Sequence, residues 1–455
     1  MNQRTFSYLL VCSAVLAPAH AYAAAPAPLS LSEAATLART NNLSVRQSRQ
    51  AIQVTEAEKA VTLANSLPSL SLSSSANYQE LPGASRQAFS GGGFGNIVGF
   101  PANGAFVDTT LSANQVIFDA FATRDQVAII DANTRAAHLA AVQSEQDVML
   151  QSAIAYFDVL RTEGLARVAA EALKQAKELL RLSELRWRTG TGTKSDVLQQ
   201  RAQLANATGQ FTQAQNAVNL ARLNLSNVLN APVSDRPLVA HVTVPTISVQ
   251  LARDLETAVA RRTEVLQLEA RQEAEETRVS LESRALLPTM QATSRYAQRN
   301  FNEGQFLAGV TVNWAVFDSF RARNRMASAA EQARSTGLQL EQSRQRVALE
   351  IRQQFQSRQE ARQRVSSARE GLAAAQEAYR LALKRYEAGV ATPFEVTNVQ
   401  NTHIQSQNNY IQAINDLNTA EVRLARALGF DLANMLAKST SSEKKLNPEP
   451  AKTGR

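Results

Sequence analysis

A mainly α-helical chain with a β-barrel component, made of two copies of one unit, is the fold class this 455-residue sequence predicts. Three observations carry the prediction: a repeated helical turn, two long proline-free stretches, and alternating segments ahead of each stretch. The turn "LRWRTGTGTKSDVLQQ" at 185 to 200 returns as "KRYEAGVATPFEVTNV" at 384 to 399. It pairs Gly190 with Gly389, Trp187 with Tyr386, Thr193 with Thr392, Asp196 with Glu395 and Val197 with Val396. The offset is 389 − 190 = 199, and it also pairs "VIFDAFATR" (116 to 124) with "AVFDSFRAR" (315 to 323). Further upstream, Leu67-Pro68 pairs with Leu287-Pro288, and Leu31, Ala38 and Val45 pair with Leu251, Ala258 and Val265, at an offset of 220. The first copy therefore carries 220 − 199 = 21 extra residues between about 80 and 115, where "SGGGFGNIVGFPANG" reads as an enlarged loop. A repeat of this size is a duplication, and both copies share one fold.

The first residues are set aside before the fold is read. Arg4, the apolar run "FSYLLVCSAVLA" and the small residues of "AHAYAAA" make residues 1–23 a secretory signal peptide, cut after Ala21 or Ala23. Cys12, the sole cysteine, lies inside it, so the exported chain has no disulfide and no thiolate metal site. Val11 stands where a lipoprotein signal needs a small residue, which argues against lipidation. No later stretch is apolar over about 18 residues, so no helix spans a membrane and the exported chain is soluble or a β-barrel. The net charge of +8 is spread along helices such as "RQEARQRVSSAR", a solvated face, and no nucleic acid is expected.

Each copy repeats one order of elements. Repeat 1 covers 24–235 and repeat 2 covers 250–430, with a proline-bearing linker at 236–249 and a tail at 431–455 that reads as disordered. Two short helices lead to Pro68 or Pro288, and a β-hairpin follows over about 68–117 or 288–316. Alternation puts Leu70, Leu72, Ala76 and Tyr78 on one face, with Val107, Thr109, Leu111, Ala113 and Ile117 on the partner strand. In repeat 2 it aligns Phe306, Ala308, Val310, Val312, Trp314 and Val316. Asp119 and Asp318 are then placed to accept the free N–H groups of a helix start. Long helical hairpins follow over about 120–230 and 319–429, their first arms about 100 Å long at 1.5 Å per residue. Met149, Ala153, Tyr156 and Leu160 form one stripe, and Leu150, Ile154 and Phe157 form another beside it. Two stripes mean neighbours on two sides, as in a ring of helices.

The strands then force association. Two hairpins give four strands, and a four-stranded sheet cannot close on itself; its open edges are intolerable in lipid. Membrane barrels begin at about eight strands, so several chains pool theirs, eight in a dimer or twelve in a trimer.

With "LSLSEAATLARTNN", "VIFDAF", "AVFDSF", "RTGTGTKSDVL", "EAGVATPFEV" and the duplication in view, the sequence resembles the TolC family of outer membrane efflux proteins over about 29 to 430. The resemblance implies a homotrimer. Its twelve-stranded barrel would lie in outer membrane lipid, continued by a twelve-helix α-barrel through the periplasm. It also implies docking to a periplasmic adaptor (membrane fusion protein) and an inner membrane transporter; no nucleophile motif or phosphate loop appears in the residues, so no cofactor is expected. The function implied is a passive exit duct of a tripartite efflux or type I secretion system, gated at its helical tips.

Carried over residue by residue, Glu395 and Asn398 fall at the pore constriction, and Asp196 and Tyr386 at a latch that holds the tips shut. The arginine of that latch is Ala391 here. Gly190, Thr193, Gly389, Thr392 and Pro393 form the adaptor-docking tips, and Leu70, Leu72, Leu111, Val310, Val312 and Trp314 face the membrane. Read without the family, "TPFE" and "TKSD" are capping boxes, Tyr386 and Trp187 pack between helices, and Trp314 packs on its strand. His138, His241 and His403 are scattered, so neither a catalytic nor a metal site is expected. Two rivals remain from the residues. A periplasmic adaptor carries one hairpin rather than two, and a coiled-coil scaffold would lack the alternating strands.

Overall fold

A computed structural model describes residues 27–80, 103–239, 244–246, 248, 250–300 and 304–438. The expected signal peptide, most of the enlarged loop of repeat 1 and the last residues of the tail lie outside the described residues.

The duplication is visible element by element. Repeat 1 contains α1 (Leu31–Asn41), α2 (Leu43–Ala64), β1 (Ser69–Glu80), β2 (Asn103–Phe118), α3 (Ala122–Arg188) and α4 (Lys194–Leu229). Repeat 2 contains α5 (Leu251–Arg261), α6 (Thr263–Arg284), β3 (Thr289–Arg299), β4 (Gln305–Asn313), α7 (Arg321–Glu387) and α8 (Pro393–Ala427). α3 and α7 are both 67 residues long, about 100 Å at 1.5 Å per residue.

Sheet and helices form one continuous wall with the same lateral order. The four strands run β1-β2-β3-β4, all antiparallel, so the hairpins of the two repeats join edge to edge. β1 and β4 are left as open edges. Below the sheet, α2 packs on α3, α3 on α6, and α6 on α7; nearer the tips, α4 packs on α3, α3 on α8, and α8 on α7. The wall is thus four helices wide throughout, with α2 and α4 sharing one column and α6 and α8 another. Among the described residues no helix is long and apolar enough to cross a membrane.

Register sorts the sheet into two faces. The row Leu72, Leu111, Tyr296, Phe306 and the row Leu70, Ala113, Ser294, Ala308 belong to one face, which also carries Val310 and Val312. The opposite face carries Ser71, Ser112 and Arg295. Trp314 departs from expectation: β4 ends at Asn313, and the Trp314 indole N–H donates to the Leu286 carbonyl at 3.1 Å. The strand alternation of repeat 2 therefore does not extend to Trp314 or Val316, because the chain is already turning toward the helix.

That turn is built alike in both repeats. Ala120 and Phe121, and likewise Ser319 and Phe320, take positive φ values of 57, 67, 58 and 62°. Paired left-handed residues outside glycine are strained, so the surroundings must hold them. The Asp119 carboxylate accepts the Phe121 and Thr123 N–H groups at 3.0 and 2.6 Å, and Asp318 accepts Ala322 N–H at 2.7 Å. Both carboxylates satisfy helix-start donors from two residues ahead of the formal cap. Burial alone would raise the Asp119 pKa, but the hydrogen bonds from Thr123 and Phe121 outweigh it and hold the carboxyl below its ordinary value.

Midway along the wall, α1, the linker and residues 432–438 form a belt. Leu29, Leu31, Ala34, Met149, Ala153, Tyr156, Leu225 and Val422 share one buried core. The Tyr156 hydroxyl lies 2.9 Å from the Leu29 carbonyl and accepts the Val239 N–H at 3.1 Å, tying both connecting segments to α3. The tail corrects the sequence reading: residues 432–438 are helical, and Leu432 and Leu436 are fully buried in this core. Two leucines four residues apart are a short signal for a helix, yet their burial anchors about two turns.

Candidate functional site

The tips are shaped by local chemistry at the far ends of the long arms. Gly190 and Gly389 take φ of 78 and 77°, and a Cβ on either would meet open space, so glycine serves the backbone angle and not a close contact. At the first tip Thr193 Oγ1 accepts Asp196 N–H at 3.2 Å while Asp196 Oδ2 accepts Thr193 N–H at 3.1 Å, a closed capping box. At the second, Thr392 Oγ1 accepts Glu395 N–H at 3.2 Å with Pro393 in the first turn.

Only half of the expected "TPFE" box forms. Pro393 does not alter the cap, but the Glu395 carboxylate turns away and accepts from Arg385 at 2.8 Å. Asn398 lies three residues further along α8 and is exposed. Within one chain Asp196 and Tyr386 are not brought together, since the Asp196 carboxylate is engaged by Thr193.

Tyr386 is instead held by a residue the sequence reading passed over. It is 1% exposed, packed with Leu179, Ala391 and Val396. The Arg186 guanidinium lies 4.0 Å from its ring centroid and donates to its carbonyl, while Ser183 and the Tyr386 hydroxyl stand 3.4 Å apart. Arg186 thus joins the end of α3 to the end of α7. Its repeat counterpart is Arg385 (186 + 199), which was the available signal.

Above the tips runs a buried polar ladder, also missed. Gln200 donates to Thr397 at 3.2 Å, Gln400 donates to Gln175 at 3.0 Å, and His403 stacks on Tyr379 at 5.5 Å. Burial pushes the His403 pKa down. The tips also carry an exposed apolar set: Val390, Phe394, Leu198 and Trp187 are 70, 66, 54 and 47% exposed.

A wall with two open edges in both its sheet and its helices is one sector of a cylinder, and such a sector defines an oligomeric membrane duct. The chain belongs to the outer membrane efflux protein family, whose profile matches residues 34–231 and 255–430. It is 26% identical over 334 residues to the outer membrane efflux protein BepC of Brucella suis biovar 1 (strain 1330), covering 72% of this chain and 73% of that one. Among solved structures it is similar to VceC of Vibrio cholerae, at 17% identity and TM-score 0.71 over 88% of this chain and 96% of the other. It is also similar to the CmeC channel of Campylobacter jejuni, at 16% identity and TM-score 0.74 over 91 and 89%. The open state of Neisseria gonorrhoeae MtrE matches at 16% identity and TM-score 0.72 over 88 and 89%.

The fold is therefore that of a trimeric channel, a twelve-stranded barrel in the outer membrane continued by a twelve-helix α-barrel in the periplasm. The chain is an outer membrane efflux duct.

Proposed function

We propose that this duct is the outer segment of a tripartite assembly. An inner membrane transporter supplies the energy, and a periplasmic adaptor docks on the tips around Gly190, Thr193, Gly389, Thr392 and Pro393. The observation that supports docking is the exposed apolar set at the tips, with Val390 and Phe394 at 70 and 66% exposure. Apolar side chains gathered at the end of a helical arm mark an interaction surface. Helical hairpins of an adaptor fit the grooves between such arms.

Asn398 and Glu395 line the proposed constriction, three copies around the axis, and Leu70, Leu72, Leu111, Val310 and Val312 face lipid. Tyr386 is the buried half of the proposed latch, with Arg186 as its partner within the chain, and Asp196, which closes the Thr193 cap, is proposed to reach a neighbouring copy. Adaptor binding draws the hairpins apart and opens the duct.

Phe394→Asp tests docking. Trimers and single-channel conductance should persist while export in cells fails; export at the unmodified level would remove the tips as the docking surface. Glu395→Gln tests the constriction, and unchanged ion selectivity would leave Glu395 with only its Arg385 pair.

A further inference from the structure

Register gathers the charges of the sheet on one face. The polar row Ser71, Ser112, Arg295, Leu307 and the row Ser75, Asp108, Arg299 alternate with the apolar row Leu72, Leu111, Tyr296, Phe306. A barrel in lipid turns its apolar rows outward, so these polar rows line water. Three charged residues of the described strands belong to that face: Asp108, Arg295 and Arg299.

Asp108 is already engaged. Arg299 donates to it twice, Nε to Oδ1 at 2.7 Å and Nη2 to Oδ2 at 3.0 Å, and its guanidinium lies 4.3 Å from the Phe106 ring centroid. Arg295 is exposed and donates to the Thr110 hydroxyl at 3.3 Å. Among the described residues no carboxylate forms a salt bridge with it. Among the described strand residues two cations less one anion leave +1 on this face per chain, and 3 × 1 = +3 in a trimer. The carboxylate at the tip does not offset such a ring, because the arm of about 100 Å between them is many times the screening length of about 10 Å at 0.1 M salt.

We propose that Arg295, three times over, forms a cationic ring midway along the barrel lumen that binds multivalent anions. The solutes it favours carry phosphate, sulfate or several carboxylates. The guanidinium is always charged and presents a planar fork of donors that matches such oxyanions. Thr110 holds the base of the fork and leaves its remaining donors to the lumen. The proposal rests on the reading of the chain as a duct.

The test uses trimers in a planar bilayer at 0.1 M salt, with inorganic tripolyphosphate added on the barrel side. Block of the wild-type current should weaken about tenfold in Arg295→Gln, and the difference should fade at 1 M salt, where the screening length falls from about 10 to about 3 Å. Arg295→Lys should retain block. Thr110→Asp keeps the guanidinium but neutralises it and should lose block, whereas Asp108→Asn raises the ring charge and should strengthen it. If Arg295→Gln fails to assemble, the two remaining charge variants decide. Block that ignores all of these changes overturns the ring, while absence of discrete channels would overturn the duct itself.

Discussion

The two repeats share one backbone plan but fasten it with different chemistry. At the junction of the short helices, repeat 1 uses an amide: Asn42 Nδ2 donates to the Val228 carbonyl at 2.9 Å. Repeat 2 has Arg262 in that place (42 + 220), donating to the Ala427 carbonyl (228 + 199) at 3.0 Å. Arg262 also pairs with Glu264 and Glu350 at 2.8 and 3.0 Å, and Arg426 joins Asp147, Glu264 and Glu350 at 2.6, 2.9 and 3.4 Å. The repeat 1 counterparts of Glu264, Glu350 and Arg426 are Ser44, Gln151 and Asn227. The tips differ in the same sense, with Tyr386 buried under Arg186 while Trp187 stands exposed. Duplication has therefore preserved geometry and let the fastenings diverge.

The largest separation of the repeats is expected at the aromatic pair. Tyr386→Ala should cost about 4 kcal/mol of local stability and speed hydrogen exchange at the end of α3, because a fully buried ring is removed. The same change at Trp187 in the isolated chain should cost about 1 kcal/mol or less. Equal costs would contradict the asymmetry of the tips.

Next comes the junction. Arg262→Ala leaves Glu264 and Glu350 without this partner and should destabilise repeat 2 by about 3 kcal/mol, read by thermal melting. Asn42 also caps α2, its Oδ1 accepting the Ser44 N–H at 2.9 Å, and Asn42→Ala should cost about 1 kcal/mol.

Acid sharpens the same contrast. Burial would raise the Glu264 pKa, but the hydrogen bond and charge of Arg262, helped by Arg426, lower it to about 2 from 4.5. A depressed carboxyl contributes stability above the unfolded value, so it is present near pH 5 and is lost as pH falls from about 4.5 through about 2. The α5–α6 junction of repeat 2 should exchange its amides faster than the α1–α2 junction of repeat 1 in that window. Parallel acid sensitivity in both repeats would assign it elsewhere.

The smallest effect expected is on assembly of the tips. The offset that maps Tyr386 onto Trp187 maps Arg186 onto Arg385, so in the trimer Arg385 of one copy should cover Trp187 of the next. With Trp314→Phe removing the other indole of the chain, Trp187 emission should shift to the blue on trimer formation and lose that shift in Arg385→Gln.

Much of this fold was legible because periodicity and duplication are properties of the chain itself. The offsets of 199 and 220 mark both strand-to-helix turns, both tips and both helix pairs in the sequence alone. Partnerships were harder to read. Thr193 and Asp196 announce their cap through spacing, but Glu395 has the same spacing and chooses Arg385 ten residues away. Arg186 finds Tyr386 only after two arms of 67 residues, with α8 between them, have been brought to a common end. The sheet edges are a third case: alternation identified Leu70 and Val310, while the order that leaves β1 and β4 unpaired needed the assembled sheet.

Those two edges give the most direct measurement. Cysteines placed at Ser73 in β1 and Thr311 in β4, joined by a flexible bismaleimide in outer membranes, should yield a covalent ladder that stops at three chains. A ladder continuing past three, or links confined within single chains, would contradict closure of the duct by neighbouring copies.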